Sequence, residues 1–350
     1  MAYSDDFQKA VELIDKAESV LVTTHTKPDG DACGCVAAMC EAIAALGKDV
    51  KPLMLSPVPE WYAFLFAGLA RHTCGGKVPV LGEDIKLEEL TAGRLGRFDL
   101  IVIVDTNSAS QLPEFDAYLK RTRHTSGGRA DAPVLVIDHH ETSDGLGDVE
   151  VIDRSAAAAG LIVLDLFRHA RWTLTESIAQ ALFVAIATDT GWFQFSNTDS
   201  RTLRACAELI DAGAKPTQIH ATLYQNFSHA RFKLMVTMLN SLELHFDGRY
   251  AAMQITQRDF QQTGAAYHDT ENLINDSQRI GTVMASALFI ELKDGRIRCS
   301  LRSRGGPDVS EIATKFGGGG HTMAAGTFLP GPLENAKQLI LDEVIKALSS

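Results

Sequence analysis

The sequence lacks any hydrophobic run long enough to cross a membrane. Its most apolar stretch, residues 156–167, has about 12 residues and includes Asp165, whereas a membrane-spanning helix needs about 20 apolar residues. The first residues contain no basic segment followed by an apolar one, so no secretory signal is visible. We therefore expect a soluble, cytoplasmic protein without a membrane partner.

Positive charge is also scarce. The 350 residues include 33 Lys and Arg against 44 Asp and Glu, a formal net charge of -11. An acidic protein has no general electrostatic attraction for long duplex nucleic acid or anionic lipid. Any partner that carries phosphate must therefore be held locally, by metal ions or by a few placed Arg and Lys side chains.

Several common catalytic and binding patterns are missing. The six cysteines form no CxxC pair and no framework spacing, so we expect reduced, packed thiols. No GxGxxG motif follows a strand, which argues against a dinucleotide cofactor. No GxSxG turn or Ser-His-Asp order is present either, which argues against a serine hydrolase.

The hydrophobic pattern predicts two domains. Unbroken apolar runs at residues 99–104 and 133–137 are typical of strands buried on both faces of a parallel sheet. We expect an α/β fold: a catalytic domain at residues 1–199 with helices on both faces of a parallel sheet, then a helical connector at 200–243. A smaller α+β substrate-binding domain should follow at 244–350, where Asp294-Gly295 predicts a hairpin.

Acidic and histidine residues cluster just past predicted strands or at the end of an apolar helix. The four clusters comprise His25, Asp29 and Asp31; Asp105; Asp138, His139 and His140; and Asp189. An open parallel sheet places its sites at the carboxyl ends of its strands. One Asp in such a place is often only a helix N-cap, but four such ends with three histidines are harder to explain that way.

Carboxylate and imidazole together are ligands suited to Mn²⁺, with Mg²⁺, Co²⁺ and Zn²⁺ as alternatives. The carboxylates outnumber what one divalent ion requires. Two ions about 3.5–4 Å apart that share a carboxylate would use them all. Such a pair holds a bridging hydroxide and neutralises a phosphate oxygen, which is the chemistry of phosphoester hydrolysis.

The order and separation of the four clusters resemble the four motifs of the DHH phosphoesterase superfamily. Residues 317–326, GGGGHTMAAG, resemble the signature of the DHH-associated substrate-binding domain. The stretches at 188–197 and 300–304 are similar to the nanoRNase (NrnA-like) branch. The resemblance spans nearly the whole chain.

The resemblance implies a role for each cluster residue. One metal ion would be held by His25, Asp29 and Asp105, and the other by Asp31, Asp105, His139 and Asp189, with Asp105 bridging. The implied catalytic set is Asp105, Asp138, His139 and His140. In that set Asp138 would orient its neighbours, and His140 would face the substrate phosphate or orient a ligand.

The resemblance also implies that the small domain closes over the metal cleft and binds the nucleotide. The implied substrate-binding residues are Arg302, Arg304, Gly318, Gly319, Gly320 and His321. Arg302 and Arg304 alternate along a predicted strand and should share one face, for which a solvated sheet edge is the alternative. His321 could instead belong to the glycine-rich end of the preceding helix.

One position departs from the family pattern. The first motif commonly ends in Gly-Ser, and here it ends in Gly34-Cys35. Because Cys35 lies past the expected ligands on a predicted helix, we expect altered packing without loss of activity.

The resemblance implies a manganese-dependent phosphodiesterase that hydrolyses oligoribonucleotides of two to five nucleotides to mononucleotides. Hydrolysis of 3′-phosphoadenosine 5′-phosphate at the same site is a related expectation, and a homodimer is another. The nearest alternative is a phosphodiesterase of dinucleotide messengers such as cyclic di-AMP or pApA. A catalytically silent nucleotide-binding regulator is a third, against which the complete ligand set argues.

Overall fold

The computed structural model describes residues 4–72, 77–124 and 132–349, so Cys74 lies outside the described part. The chain divides into two compact units, Met1–Gln225 and Asn226–Ser350. The segment at 200–243 that was expected to connect two domains is divided between these units.

Helices and parallel strands alternate in the first unit. Its strands are β1 (Ser19–Thr23), β2 (Asp49–Leu53), β3 (Leu100–Val104), β4 (Val134–Asp138) and β5 (Val149–Ile152). Its α-helices are α1 (Ser4–Lys16), α2 (Gly30–Ala45), α3 (Leu87–Thr91), α4 (Pro113–His124), α5 (Ala159–Ala170), α6 (Glu176–Asp189), α7 (Ser200–Asp211) and α8 (Pro216–Tyr224). Short 3₁₀ helices cover Glu60–His72 and Ala109–Gln111.

The five strands form one all-parallel sheet in the order β2-β1-β3-β4-β5. Successive side chains of a strand point to opposite faces. In β1, Val20 and Val22 accordingly join one hydrophobic cluster, whereas Leu21 joins another. Both clusters include helical residues, so helices cover both faces and the expected fold class is confirmed.

The second unit contains a mixed six-stranded sheet in the order β10-β11-β9-β8-β7-β6. Its strands are β6 (Glu243–His245), β7 (Tyr250–Ile255), β8 (Ala285–Glu291), β9 (Ile297–Ser303), β10 (Gly319–His321) and β11 (Ala324–Leu329). Its α-helices are α9 (His229–Asn240), α10 (Gln257–Thr263), α11 (Val309–Thr314) and α12 (Leu333–Ser349). Further 3₁₀ helices cover Tyr267–Thr270 and Leu273–Arg279.

The predicted hairpin at Asp294-Gly295 joins β8 to the antiparallel β9. Strand β9 alternates strictly between buried and half-buried residues. Its buried apolar residues, Ile297, Cys299 and Leu301, pack in a cluster that also contains residues of α11 and α12. The other face of β9 therefore carries Arg298, Ser300 and Arg302.

Two absences hold within the described residues. No helix there combines the length and apolar character that a bilayer crossing requires. The five cysteines in those ranges are buried and form no disulfide. The thiols are thus packed as expected.

Candidate metal centre

The parallel sheet brings three of the four sequence clusters to one edge. His25 follows β1, Asp105 follows β3, and Asp138 is the last residue of β4, directly before His139. These strands are neighbours in the sheet, so their carboxyl ends lie side by side. The fourth cluster residue, Asp189, is the last residue of α6.

Close packing of α2 against α6 brings Asp31 and Asp189 together. A Cβ atom on Gly30 would lie 2.3 Å from Oγ1 of Thr188, and one on Gly34 would lie 2.3 Å from the carbonyl oxygen of Ala181. Only glycine permits so close an approach. The glycines of the first motif thus place the start of α2 against the end of α6.

Asp29 has two structural tasks. It is the N-cap of α2, and its Oδ1 accepts hydrogen bonds from the backbone N–H groups of Asp31 at 3.0 Å and Ala32 at 3.1 Å. Its carboxylate also belongs to a compact group with His25 and Asp105. The N-cap role is therefore compatible with membership of a group that could hold a metal ion.

The carboxylate of Asp31 accepts three hydrogen bonds. The backbone N–H of Ala159 donates to its Oδ2 at 2.6 Å, and that of Gly160 donates to its Oδ1 at 2.9 Å. The Cys35 thiol donates to the same Oδ1 at 3.3 Å. Because Ala159 and Gly160 begin α5, the helix N-terminus stabilises this buried negative charge.

Asp105 lies between the two histidines of the site. Its Oδ2 is 3.4 Å from Nε2 of His25, and its Oδ1 is 3.5 Å from Nε2 of His139. Its backbone is left-handed, with φ 61°, a conformation that is uncommon outside glycine and is found at functional sites. The two oxygens of one buried carboxylate thus point toward different ligand groups.

The two candidate ligand histidines are oriented in the same way. Nδ1 of His25 lies 2.9 Å from the Thr26 carbonyl, and Nδ1 of His139 lies 3.2 Å from the Ala156 carbonyl. When Nδ1 donates its proton to a carbonyl, Nε2 is left as the ligand atom. In both rings that Nε2 faces Asp105.

Asp138 supports the two histidines that follow it. Its Oδ1 accepts the backbone N–H of His139 at 2.8 Å and lies 2.7 Å from Nδ1 of His140. Asp138 is fully buried, whereas the His140 side chain is 43% exposed. The structure thus brings both histidines and Asp138 together, with the outer edge of His140 facing solvent.

Three compact groups of these side chains could each hold a metal ion. The groups are His25 with Asp29 and Asp105; Asp31 with His139 and Asp189; and Asp105 with His139 and His140. Asp105 and His139 each belong to two groups. The first two groups have the composition that the family resemblance implied, apart from the shared Asp105 in the second.

The pKa values of several side chains in this array are shifted in the direction that favours bound positive charge. Burial lowers the pKa of His25, but the interactions with the carboxylates of Asp105 and Asp29 together outweigh burial and raise the pKa to about 9. Burial also lowers the pKa of His139, and the interactions with Asp105, Asp31 and Asp189 together raise it to about 10. Burial, together with the charge of Asp105, raises the pKa of Asp189 to about 6. Carboxylates this crowded favour a bound proton or a bound cation.

The donor chemistry of the array fits divalent metal ions. It consists of carboxylate oxygens and imidazole nitrogens, which are ligands for Mn²⁺, Mg²⁺, Co²⁺ and Zn²⁺. Oδ1 of Asp105 is buried and makes no hydrogen bond to the described residues. Ring nitrogens of His139 and His140 lie 3.5 Å and 3.9 Å from this oxygen, and a buried carboxylate oxygen without a hydrogen bond is costly unless a cation satisfies it.

The expected substrate-binding arginines differ from each other. Arg302 lies in β9, and its Nε donates to Oδ1 of Asn275 at 3.2 Å. Arg304 lies beyond the end of β9, and its guanidinium donates to the carbonyls of Gln278, Ile280 and Gly281. Both were expected on one strand face; the structure shows that only Arg302 lies in the strand, because β9 ends at Ser303.

The glycine run forms a strand where a loop or helix end was the expectation. In β10, Gly319, Gly320 and His321 pair with Gly326, Ala325 and Ala324 of β11. A Cβ on Gly318 or Gly320 would lie within 2.6 Å of β11 backbone atoms, whereas one on Gly319 would meet open space. Two of the three glycines are therefore required by strand packing.

Sequence reasoning missed two contributors to the site. The N–H groups of Ala159 and Gly160 act through the backbone and carry no side-chain signal. The thiol of Cys35, expected only to alter packing, also donates to Asp31.

Known protein families match both units. The model of the DHH family N-terminal domain matches residues 19–186, and that of the DHHA1 domain matches residues 247–350. The chain belongs to the DHH superfamily. The resemblance inferred from the motifs is therefore confirmed, and the DHH match contains every candidate metal ligand except Asp189.

The similar curated members of the superfamily include proteins named bifunctional oligoribonuclease and PAP phosphatase NrnA. The one from Thermus thermophilus is 28% identical over 99% of this chain and 96% of its own length. That from Bacillus subtilis is 25% identical over 90% of this chain and 91% of its own length. The cyclic-di-AMP phosphodiesterase PdeA of Listeria monocytogenes is 26% identical over 95% of this chain, but that match covers only 48% of PdeA.

Solved structures support the fold. An exopolyphosphatase-related protein from Bacteroides fragilis superposes with a TM-score of 0.83 at 21% identity, covering 97% of this chain and 96% of its own. Exonuclease RecJ bound to manganese superposes with a TM-score of 0.52 at 15% identity, covering 99% of this chain and 94% of its own. At these identities the likeness establishes the DHH fold alone.

Proposed function

We propose that this protein is a metal-dependent phosphodiesterase that hydrolyses very short oligoribonucleotides to mononucleotides. The observation that carries the proposal is the position of Asp105, whose two oxygens face His25 on one side and His139 on the other. A carboxylate shared in this way is the ligand that a two-metal phosphoesterase requires. The names of the NrnA relatives support the choice of substrate.

The ligands divide between two ions in this proposal. One ion would be held by His25, Asp29 and Asp105, and the second by Asp31, Asp105, His139 and Asp189. Mn²⁺ is the ion we favour, because mixed carboxylate and imidazole ligands suit it. When bound, such a pair supplies an activated water and charge neutralisation at the phosphate.

The protein's own residues position the substrate and the ligands. Asp138 fixes the ring of His140 through Nδ1, so the Nε2 edge of this half-exposed ring can reach a phosphate oxygen. In the second unit, Arg302, Gly319 and His321 are the proposed nucleotide contacts. The backbone pairing of His321 with Ala324, and of Ala324 with Arg302, puts His321 and Arg302 in one row across the sheet, whereas Gly319 lies in the row of Gly326 and Ser300.

Phosphatase action on 3′-phosphoadenosine 5′-phosphate is part of the proposal. This small substrate carries two phosphates, and a site that binds one and hydrolyses the other would accept it. The NrnA relatives are named for both activities. Small anionic substrates are also compatible with a net charge of -11, because only local contacts are needed to bind them.

A product time course with Mn²⁺ tests the proposal. The substrates are an RNA dinucleotide, a pentanucleotide, a long single strand, 3′-phosphoadenosine 5′-phosphate and cyclic di-AMP. We expect fast loss of the two short RNAs, slow loss of the long strand and phosphate release from the bisphosphate. The Asp105→Asn variant serves as the inactive control.

Two results would contradict the proposal. Preferred cleavage of cyclic di-AMP would assign the protein to the turnover of a dinucleotide messenger. Absence of hydrolysis of every substrate, in protein shown to contain metal, would refute the assignment of short RNA as substrate.

A further inference from the structure

The loop between β5 and α5, residues 153–158, orients two of the candidate ligands. Its Ala156 carbonyl lies 3.2 Å from Nδ1 of His139. Where the loop enters α5, two backbone N–H groups donate to the carboxylate of Asp31. Backbone groups position a ligand only as precisely as the loop that carries them is itself held. The contacts that hold this β5–α5 loop therefore bear on the metal centre.

Asp153 holds the start of the β5–α5 loop. Its buried carboxylate accepts hydrogen bonds from the backbone N–H of Ser155 at 3.0 Å and from the Ser155 hydroxyl at 2.6 Å. Its other oxygen accepts from Nη1 of Arg201 at 2.6 Å, and its backbone N–H donates to the Asp138 carbonyl at 3.1 Å. These contacts lie before Ala156, and the middle of the loop is held by a different side chain.

Asn197 joins the middle of the loop to the end of α6. Its Nδ2 donates to the Ala157 carbonyl at 3.1 Å and to the Asp189 carbonyl at 3.3 Å. Only the NH₂ end of a carboxamide can donate, so two carbonyl acceptors fix the way this side chain points. One carboxamide therefore links the loop that orients His139 and Asp31 to the residue that completes their group, Asp189.

A reversal of the chain after α6 returns Asn197 to Asp189. Three successive residues of this turn have left-handed backbone, with φ values of 55°, 55° and 66°: Gly191, Trp192 and Phe193. Such a conformation persists outside glycine where surrounding contacts determine it. The indole of Trp192 provides one of them, because it packs edge-on against His220 of α8 with ring centres 4.8 Å apart. Packing thus fixes the shape of the turn that carries Asn197.

We propose that Asn197 is a positioning residue for the metal ion that the group of Asp31, His139 and Asp189 would hold. Nε2 of His139 lies 3.9 Å from Oδ2 of Asp31 and 3.7 Å from Oδ2 of Asp189. Asn197 keeps the segments that carry or orient these three side chains at a fixed separation. The inference rests on the proposed function, in which two ions share the candidate ligands.

The other ion should be less affected. His25 and Asp29, which only that ion would use, make no hydrogen bond to the β5–α5 loop or to Asn197 within the part of the chain that the structure describes. Nδ1 of His25 lies 2.9 Å from the Thr26 carbonyl, and Asp29 accepts from the first backbone N–H groups of α2. Loss of the Asn197 carboxamide should therefore weaken the binding of one ion selectively.

Gln194 provides a matched control. It lies in the same turn, is exposed as Asn197 is, and also carries a carboxamide. Its backbone N–H donates to the Thr190 carbonyl at 3.0 Å, whereas its side chain makes no hydrogen bond to the described residues. The variants Asn197→Ala and Gln194→Ala therefore remove the same chemical group, in one case with two acceptors and in the other with none.

The experiment loads the full chain with Mn²⁺ and dialyses it against increasing concentrations of EGTA. The Mn²⁺ retained per chain is measured, and electron paramagnetic resonance distinguishes coupled pairs of ions from single ions. We expect the wild type to lose two ions per chain in two steps. In Asn197→Ala, one step should shift to an about tenfold lower EGTA concentration, the effect of removing a group that orients a ligand. The other step should stay in place, and single ions should replace coupled pairs over that interval.

Two further variants complete the test. Gln194→Ala should lose its ions as the wild type does. Asn197→Gln places the carboxamide on a longer stem and should restore part of the shift, which a role in packing alone would not predict. It also keeps the inference testable if Asn197→Ala does not fold.

The outcomes separate this inference from the proposed function. Two unshifted steps in Asn197→Ala, in a chain whose wild type retains two coupled ions, would overturn the role of Asn197 and leave the two-metal centre in place. An equal shift of both steps would also overturn it, because Asn197 would then act on the stability of the whole unit. A wild-type chain that retains fewer than two ions before chelation would refute the two-metal proposal itself.

Discussion

The candidate metal centre of the first unit and the polar face of β9 in the second unit, which carries Arg298 and Arg302, both concentrate charge of one sign, but the surroundings of that charge differ. In the metal centre, Asp31 and Asp105 are 1% and 2% exposed, and Asp31 is fixed by three hydrogen-bond donors. On the polar face of β9, Arg298 and Arg302 remain half-buried, and their hydrogen bonds to the described residues go to uncharged groups.

The contrast reflects what each region has to bind. A metal ion tolerates little error in ligand position, so its carboxylates must be buried and oriented before it arrives. A flexible substrate can be met by long side chains on an open sheet face. Substitutions in the first region should therefore abolish turnover, whereas those in the second should weaken substrate binding.

The largest effect is expected for Asp105→Asn. The variant keeps the shape of the side chain, and Asn tolerates the left-handed backbone at this position, but it removes the charge shared by both ligand groups. We expect a loss of turnover of about a thousandfold or more, because charge stabilisation by the metal pair is the main catalytic term. The measurement is Mn²⁺-dependent hydrolysis of bis-p-nitrophenyl phosphate, together with metal content.

Asp49→Asn is the control for this prediction, since Asp49 is an exposed residue at the start of β2, at the opposite end of the same sheet. It should retain wild-type turnover and metal content. Activity of Asp105→Asn near that of the wild type would refute the proposal that Asp105 is the ligand shared by both metal ions.

The next effect is expected for Arg302→Gln. Because Arg302 lies on the polar face of β9 and not among the candidate metal ligands, the variant should raise KM for short RNA about tenfold with kcat and metal content nearly unchanged. Steady-state kinetics and metal analysis on the same preparation give the answer. Loss of metal from this variant would contradict the separation of the two regions.

Arg304→Gln sharpens that prediction. Its guanidinium donates to three backbone carbonyls next to the 3₁₀ helix Leu273–Arg279, so the variant should lower the melting temperature more than it changes KM. If Arg304→Gln raised KM as strongly as Arg302→Gln, both arginines would contact the substrate, as the family resemblance implied.

A smaller effect is expected for Asp153→Asn, which tests a carboxylate that does have a cation partner. Burial would raise the pKa of Asp153, but hydrogen bonds from Ser155 and Arg201 lower it below its usual value. A lowered pKa stabilises the folded state above about pH 4, and this contribution is lost as pH falls through the folded-state pKa. We expect the free energy of unfolding of the variant at pH 7 to be about 1 kcal/mol lower than that of the wild type. The effect is limited because the cost of burying the carboxylate offsets part of what its hydrogen bonds contribute.

Thermal unfolding at pH 7 and at pH 3 provides the test for Asp153→Asn. The difference from the wild type should shrink at the lower pH, where the wild-type carboxyl is also being protonated. A difference of equal size at both pH values would show that Asp153 acts through packing and not through its charge.

The smallest effect is expected for Cys35→Ser. A hydroxyl can donate to Asp31 as the thiol does, so turnover should stay within about threefold of the wild type. Cys35→Ala removes the donor and should lower metal affinity more than Cys35→Ser does. Equal metal affinity in both variants, measured by titration calorimetry, would show that the donor has no influence on Asp31.

Much of the fold could be predicted because several of its strands and one of its turns have clear local sequence patterns. The apolar runs at 99–104 and 133–137 correspond to β3 and β4, and Asp294-Gly295 forms the expected hairpin. Strand β5 was missed because Val149–Ile152 has only four residues, three of them half-buried, so its apolar pattern is weak. The strand formed by the glycine run was missed as well, because glycine carries no strand propensity and only pairing with β11 produces it.

The sequence by itself determined which residue types reach the carboxyl edge of the sheet, because a parallel strand must end where its apolar run ends and the next residues then lie at that edge. The ends of the apolar runs therefore predict that His25, Asp105 and the Asp138–His140 motif lie at this edge. The tertiary structure decided what each side chain contacts there. The two-sided position of Asp105, the donors around Asp31 and the space above Gly326 that admits Arg298 all depend on distances between elements far apart in the chain, which no local pattern encodes.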